Sequence, residues 1–97
     1  MNFEIAPKST EVRLTWEEAR MYCFSLNIDG KIGWRLPTND ELDEIYESEN
    51  DFIDAYYWSS TENYGGGAWA QNMSNGNQNG NVKYGGGFYV RAIRSIP

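Results

Sequence analysis

The sequence contains no histidine and a single cysteine, Cys23. The missing histidine removes the commonest general base, the commonest metal ligand and every His-dependent nucleophile pair. One cysteine cannot make an intrachain disulfide, so the fold must stand on packing or on an oligomer. Long apolar runs are missing too, and nothing nears the roughly 18 residues of a membrane span. Residues Met1 to Pro7 lack the basic and apolar regions of a secretory signal, and the starting Met is read as the beginning of a complete product. Basic residues are few and unclustered: eight Lys and Arg face fourteen Asp and Glu, for a net charge of −6. That balance disfavours a nucleic-acid partner, which needs clustered cations. Acids are absent from the last third of the chain. Residues 1–62 hold all fourteen acids against five bases, −9, whereas residues 63–97 hold only Lys83, Arg91 and Arg94, +3.

What is present begins with aromatic residues, 15% of a 97-residue chain. A chain of this length forms one domain, 1–97, and buries only roughly 60–65% of its unfolded surface, so each core aromatic counts heavily. Phe3-Glu4-Ile5 reads as a short edge strand closed by Pro7. Thr15-Trp16-Glu17-Glu18 is a capping box, and Trp16, Ala19, Cys23 and Leu26 share one helical face behind it, giving a helix over 15–27. Leu36 precedes Pro37 and is pushed from helical angles, so Gly33 to Pro37 is extended or turning. Thr38-Asn39-Asp40-Glu41 is a second capping box, opening a short helix that turns Leu42, Ile45 and Tyr46 inward. Period-two alternation then marks strands at Tyr57–Glu62, Ala68–Met73 and Phe88–Arg94. Ser74-Asn75-Gly76 and Asn79-Gly80 are turn signals, since Asn and Gly tolerate positive φ. The resulting class is α+β, two helices and then a hairpin-rich antiparallel sheet.

Catalysis finds little support. Cys23 lies on the apolar helix face, where a thiol is inert. Ser59-Ser60-Thr61 has hydroxyls without an activating base. The acids crowded between Asp40 and Asp54 read as a solvated helix face with its loop, or as a site for Ca²⁺ or a basic partner; the EF-hand spacing is missing. Gly65-Gly66-Gly67 lacks the strand-to-helix setting and the Lys of a phosphate loop. Neither a cofactor nor a bound metal is expected, and the chain is read as a non-enzyme. Arg35, Arg91 and Arg94 are read as structural, pairing with Glu41, Glu62 or another acid of the second helix. Trp16, Trp34 and Trp58 belong to the same frame.

The stretch from Asn63 to Gly87 differs: fourteen of its twenty-five residues are Asn or Gly. Read blandly, it is hairpin loops. Read functionally, it is a recognition surface, because Tyr with Asn and Gly is the composition of binding loops and aromatic faces beside amides suit sugars. The candidate ligand-binding residues are Asn63, Tyr64, Trp69, Gln71, Asn75, Asn77, Gln78, Asn79, Asn81 and Tyr84.

The blocks Thr15-Trp16-Glu17-Glu18-Ala19 to Tyr22-Cys23, Gly33-Trp34-Arg35-Leu36-Pro37-Thr38 with Glu41-Leu42, Tyr57-Trp58-Ser59-Ser60-Thr61-Glu62, Ala68-Trp69 and Tyr89-Val90-Arg91-Ala92-Ile93-Arg94 resemble the Lcl C-terminal domain family. The match covers about residues 12–95, and the related major-paralogue domains share the blocks. The resemblance implies a C-type lectin-like fold: two helices packed on a twisted antiparallel sheet, with long Asn/Gly-rich loops as the binding face. It also implies adhesion or binding modules of bacterial surfaces and phage particles. The superfamily's enzyme branch uses a Cys pair, which this chain lacks, and its calcium-lectin triplets and usual disulfides are missing. The expectation is a non-catalytic binding and display module, a structural or decoration component on the surface of a phage capsid or tail. The alternative is a carbohydrate- or protein-binding adhesin domain at a bacterial cell surface or outside the cell. Partners would be virion proteins or a cell-surface glycan, with no nucleic acid and no membrane, in a homo-oligomer or larger assembly.

Overall fold

The computed structural model describes residues 2–63, 65–81, 83 and 87–97. Both capping boxes form. Glu18 accepts hydrogen bonds from the Thr15 backbone N–H (3.1 Å) and hydroxyl (2.9 Å), opening α1 (Trp16–Ser25). This helix stops short of the expected residue 27 because Leu26 turns extended, with its N–H donating to the Cys23 carbonyl. At α2 (Asn39–Ser48) the Glu41 N–H donates to Thr38 Oγ1 and the Thr38 N–H to Glu41 Oε1. Satisfying these otherwise orphaned N–H groups fixes where each helix begins.

The strands are β1 (Phe3–Ile5), β2 (Val12–Leu14), β3 (Trp34–Arg35), β4 (Tyr56–Glu62), β5 (Ala68–Asn72), β6 (Gln78–Asn81), β7 (Phe88–Val90) and β8 (Ile93–Ser95). They form a three-stranded sheet in the order β1-β8-β3 and a five-stranded sheet in the order β2-β7-β4-β5-β6. The class is α+β as expected, with two α-helices among the described residues. The wholly antiparallel sheet is corrected, because β4 and β7 run parallel through Tyr57 and Tyr89.

Two strand expectations also change. The closing strand 88–94 is divided in two. Arg91 is buried between the halves, donating from Nε to the Ala6 carbonyl, and Ala92 accepts from the Ala6 N–H instead of a ladder partner. The chain thereby leaves the five-stranded sheet at Val90 and joins the three-stranded one at Ile93. Asn79-Gly80, expected as a turn, lies inside β6, where Gly80 stands opposite Trp69. The actual reversal is at Met73–Asn77. There Asn72 Oδ1 accepts from the Ser74 N–H, Asn75 Oδ1 accepts from the Asn77 N–H, and Gly76 takes φ +82°.

The five-stranded sheet is covered on both faces. One face carries Trp58, Ala68, Ala70 and Val90 against Trp16, Ala19 and Cys23 of α1. The other carries Tyr57 and, beyond the end of β5, Met73 against Leu42 and Ile45 of α2, with Phe3 and Ile93. Alternation along β4 places Tyr57 and Trp58 in different cores, as the two-residue period of a strand requires. Each fully buried large side chain contributes roughly 1.5–3 kcal/mol. Trp58, Leu42 and Ile45, all completely buried, are therefore major anchors of the helices on the sheet.

Candidate functional site

Three tryptophans are consumed by the frame. Trp16, Trp34 and Trp58 each donate the indole N–H to a backbone carbonyl, those of Ser59, Lys31 and Leu14, at 2.8–2.9 Å. The Trp16 ring also sits beneath the Arg20 guanidinium and the Lys83 ammonium, 5.1 and 4.2 Å from its centroid. Trp69 is different: it is partly exposed, and among the described residues no acceptor meets its indole N–H. Its backbone is held by Ser59, whose hydroxyl donates to the Trp69 carbonyl at 2.7 Å.

The three arginines are occupied as well. Arg35 makes a two-pronged pair with Glu41, both contacts 2.8 Å. The guanidinium holds the Glu41 carboxyl below its ordinary 4.5, the expected effect of a charge-assisted hydrogen bond. Arg91 bonds Glu11 and Asp51, each at 2.9 Å, and the Asp51 carboxyl is lowered by that contact. Tyr57 donates its hydroxyl to the same Glu11, and burial in the first place, then that bond, pushes its pKa up. Arg94 bonds Glu4 at 2.8 Å and the Ile32 carbonyl. Cys23 is 1% exposed, and burial pushes its thiol up to about 12.

The eight candidate ligand residues that are described do not gather on one surface. Trp69 and Gln71 project from β5 toward the α2 side, and opposite them on β6 stand Gly80 and Gln78. There the amides interlock: Gln78 Nε2 donates to Gln71 Oε1 (2.8 Å) and the Asn39 carbonyl (3.1 Å), and Gln71 Nε2 donates to Asp43 (3.3 Å). Gln71 is wholly buried. Asn63 joins this face from the β4–β5 loop, where its Oδ1 accepts from the N–H groups of Gly65 and Gly67. Its amide occupies the space that a Cβ at Gly80 would fill, so a side chain there would have to displace it. Asn79 and Asn81 lie on the opposite face, in register with Ala70 and Ala68; Asn79 donates to the Tyr56 hydroxyl at 2.5 Å and Asn81 to the Asn79 carbonyl. Asn75 spends its side chain on the reversal, where Oδ1 accepts from the Asn77 backbone N–H, and the Asn77 side chain is exposed. Tyr64 and Tyr84 lie outside the described residues.

Sequence reasoning missed three participants. Asn39 follows the helix cap, and its side-chain Oδ1 is buried with no hydrogen-bond partner among the described residues. Asp43 and Thr61 hold the platform from α2 and β4, the latter accepting from the Asn39 N–H. Asn39 lies inside the Thr38–Glu41 capping box, and its reading as part of a cap masks this second role. Also missed was a groove of about 560 Å³ on the α1 side, with Trp34 and Leu36 beside Met21, Phe24 and Arg20. Met21 and Phe24 are 71% and 84% exposed. The available signal was apolar residues off the buried stripe of an otherwise charged helix. Among the described residues no group of three or more His, Cys, Asp or Glu could hold a metal, and no helix is long and apolar enough to cross a membrane.

Fold and site together define an α+β module in which arginines and three tryptophans serve the frame, while one tryptophan and a set of amides share a sheet face. The chain matches the Lcl C-terminal domain over residues 4–94 and belongs to that family. No curated protein matches it.

Proposed function

We propose that this chain is a non-catalytic binding and display module of C-type lectin-like fold, which holds a cell-surface glycan on the sheet face around Trp69. The observation that carries the reading is the contrast among the tryptophans: Trp69 is partly exposed, keeps its indole N–H free of described partners and stands beside the amides of Asn63 and Gln78, the latter held by the buried Gln71. An aromatic face with amide donors and acceptors suits a pyranose, whose C–H face stacks while its hydroxyls hydrogen-bond. Support for a non-catalytic role comes from Cys23, buried with its thiol pushed up to about 12, far from a reactive thiolate. Ser59 is likewise engaged, with its hydroxyl on the Trp69 carbonyl.

The lectin-like assignment rests on the family and on two helices flanking a mixed sheet. The proposed setting is the surface of a phage particle, as a structural or decoration component. The same face on a bacterial adhesin is the second setting, and copurification with particles separates the two. A glycan array, run with and without Ca²⁺, tests the binding reading. Recognition of a glycan class that persists under chelation is expected. A folded protein that binds no glycan in either condition overturns it.

A further inference from the structure

We infer that the open edge of the five-stranded sheet, strand β6, is a homodimer interface, pairing antiparallel with β6 of a second copy about a two-fold axis through Asn79. β6 ends the order β2-β7-β4-β5-β6, so one side of it has no strand partner among the described residues. Which groups face outward follows from the register. The Asn72 N–H donates to the Asn77 carbonyl at 2.8 Å, making that pair hydrogen-bonded. By the alternation of an antiparallel ladder, Asn79 and Asn81 turn their main-chain groups inward to β5. Gln78 and Gly80, opposite Gln71 and Trp69, therefore project N–H and C=O from the free edge. A two-fold at Asn79 sets Gln78 of one copy against Gly80 of the partner subunit, with reciprocal main-chain hydrogen bonds on both sides of the axis.

Charge decides the occupant. Protein edges are ordinarily guarded by lysine, proline or inward charge, and β6 has none: it reads Gln-Asn-Gly-Asn. Residues 63–82 carry no Asp, Glu, Lys or Arg, the longest uncharged run in a chain of net charge −6. Two copies meeting through residues 1–62, where the charge is −9, would repel. Meeting through β6 brings together an uncharged edge strand inside the longest uncharged run, which carries no such repulsion. The two-fold stands perpendicular to the sheet, so both Trp69 side chains emerge on the same face, three strand spacings or roughly 14 Å apart across the sheet. If the Trp69 reading holds, the dimer is a bivalent platform; the dimer itself does not depend on it.

Asn79 faces its own copy across the axis, which permits a charge-swap test. Its side chain is exposed and makes one surface contact, to Tyr56, so substitution leaves the core intact. Sedimentation analysis over a concentration series is run on the wild type, Asn79→Lys, Asn79→Asp and an equimolar mixture of the two variants. The wild type is expected to dimerise, each variant to associate roughly fivefold or more weakly through like charges directly opposed, and the mixture to recover as a heterodimer. A wild type that stays monomeric at its highest soluble concentration overturns the proposal and leaves the edge to a strand from another protein. A dimer indifferent to both substitutions overturns it as well, placing the interface elsewhere.

Discussion

Glu41 does two things at once: it closes the capping box of α2 and receives both arms of Arg35. Its pKa is lowered from 4.5, chiefly by Arg35. A depressed carboxyl stabilises the fold fully above its unfolded value and loses that contribution as pH falls through the folded one. Glu41→Gln should therefore lower the thermal midpoint at neutral pH and flatten its decline below about pH 4.5, a difference that melting curves across an acid pH series would show. Because the pair is partly exposed, the neutral-pH loss is set at roughly 1 kcal/mol. Gly76 is a sharper case. It holds φ +82°, and an added Cβ would lie 2.8 Å from the Tyr46 ring, so Gly76→Ala should cost roughly 1–3 kcal/mol in denaturant unfolding. An unchanged midpoint would mean that the reversal can rearrange. Both features were legible in part: Thr38 to Glu41 and Ser74-Asn75-Gly76 announce a cap and a turn by composition alone. That Tyr46 closes over the turn depends on tertiary approach, which no local pattern encodes.

Among elements, the informative junction is the one between β7 and β8. Alternation of Phe88, Val90 and Ala92 was read as one strand because those residues do share a core. What divides the strand is long-range: Arg91, 4% exposed, reaches Ala6 and Glu11 in the β1–β2 connection and Asp51 beyond α2. Glu11 is 5% exposed, so Arg91→Ala would leave a buried carboxylate with only the half-exposed Lys8 ammonium, 3.5 Å away, as its cation. The expected cost is roughly 3–5 kcal/mol, larger than for Arg35→Ala or Arg94→Ala, whose partners are partly solvated. Equal losses for the three in parallel denaturant titrations would contradict a special role for Arg91. Strand β6 was missed for a related reason. Gly80 is a turn residue by propensity, and the Asn63 amide that lies where its Cβ would be is a tertiary contact that no local pattern shows. Helices and the β4 strand were readable because their signals are local, caps and alternation. The parallel pairing of β4 with β7 was not, since it joins residues far apart in the chain.

At the scale of the whole molecule, the acidic N-terminal two thirds supply both helices, whereas residues 63–97 supply β5 to β8 and most of the uncharged surface. The Asn and Gly stretch, which composition marks as a display surface, is mainly devoted to its own hairpin. Asn63, Asn72, Asn75, Asn79 and Asn81 all spend side-chain atoms on nearby groups. What remains for a ligand is the narrower face around Trp69, with Asn39 and Asp43 brought to it by α2. Composition located the region, but side-chain alternation on β5 and β6 decides which residues can act together. The direct test of this face is the affinity of wild type and Trp69→Ala for a glycan selected on the array, measured well below the melting temperature of both. Trp69 is partly exposed and outside both cores, so the variant should fold and lose roughly tenfold or more in affinity. Equal binding by the two folded proteins would show that the ligand surface lies elsewhere.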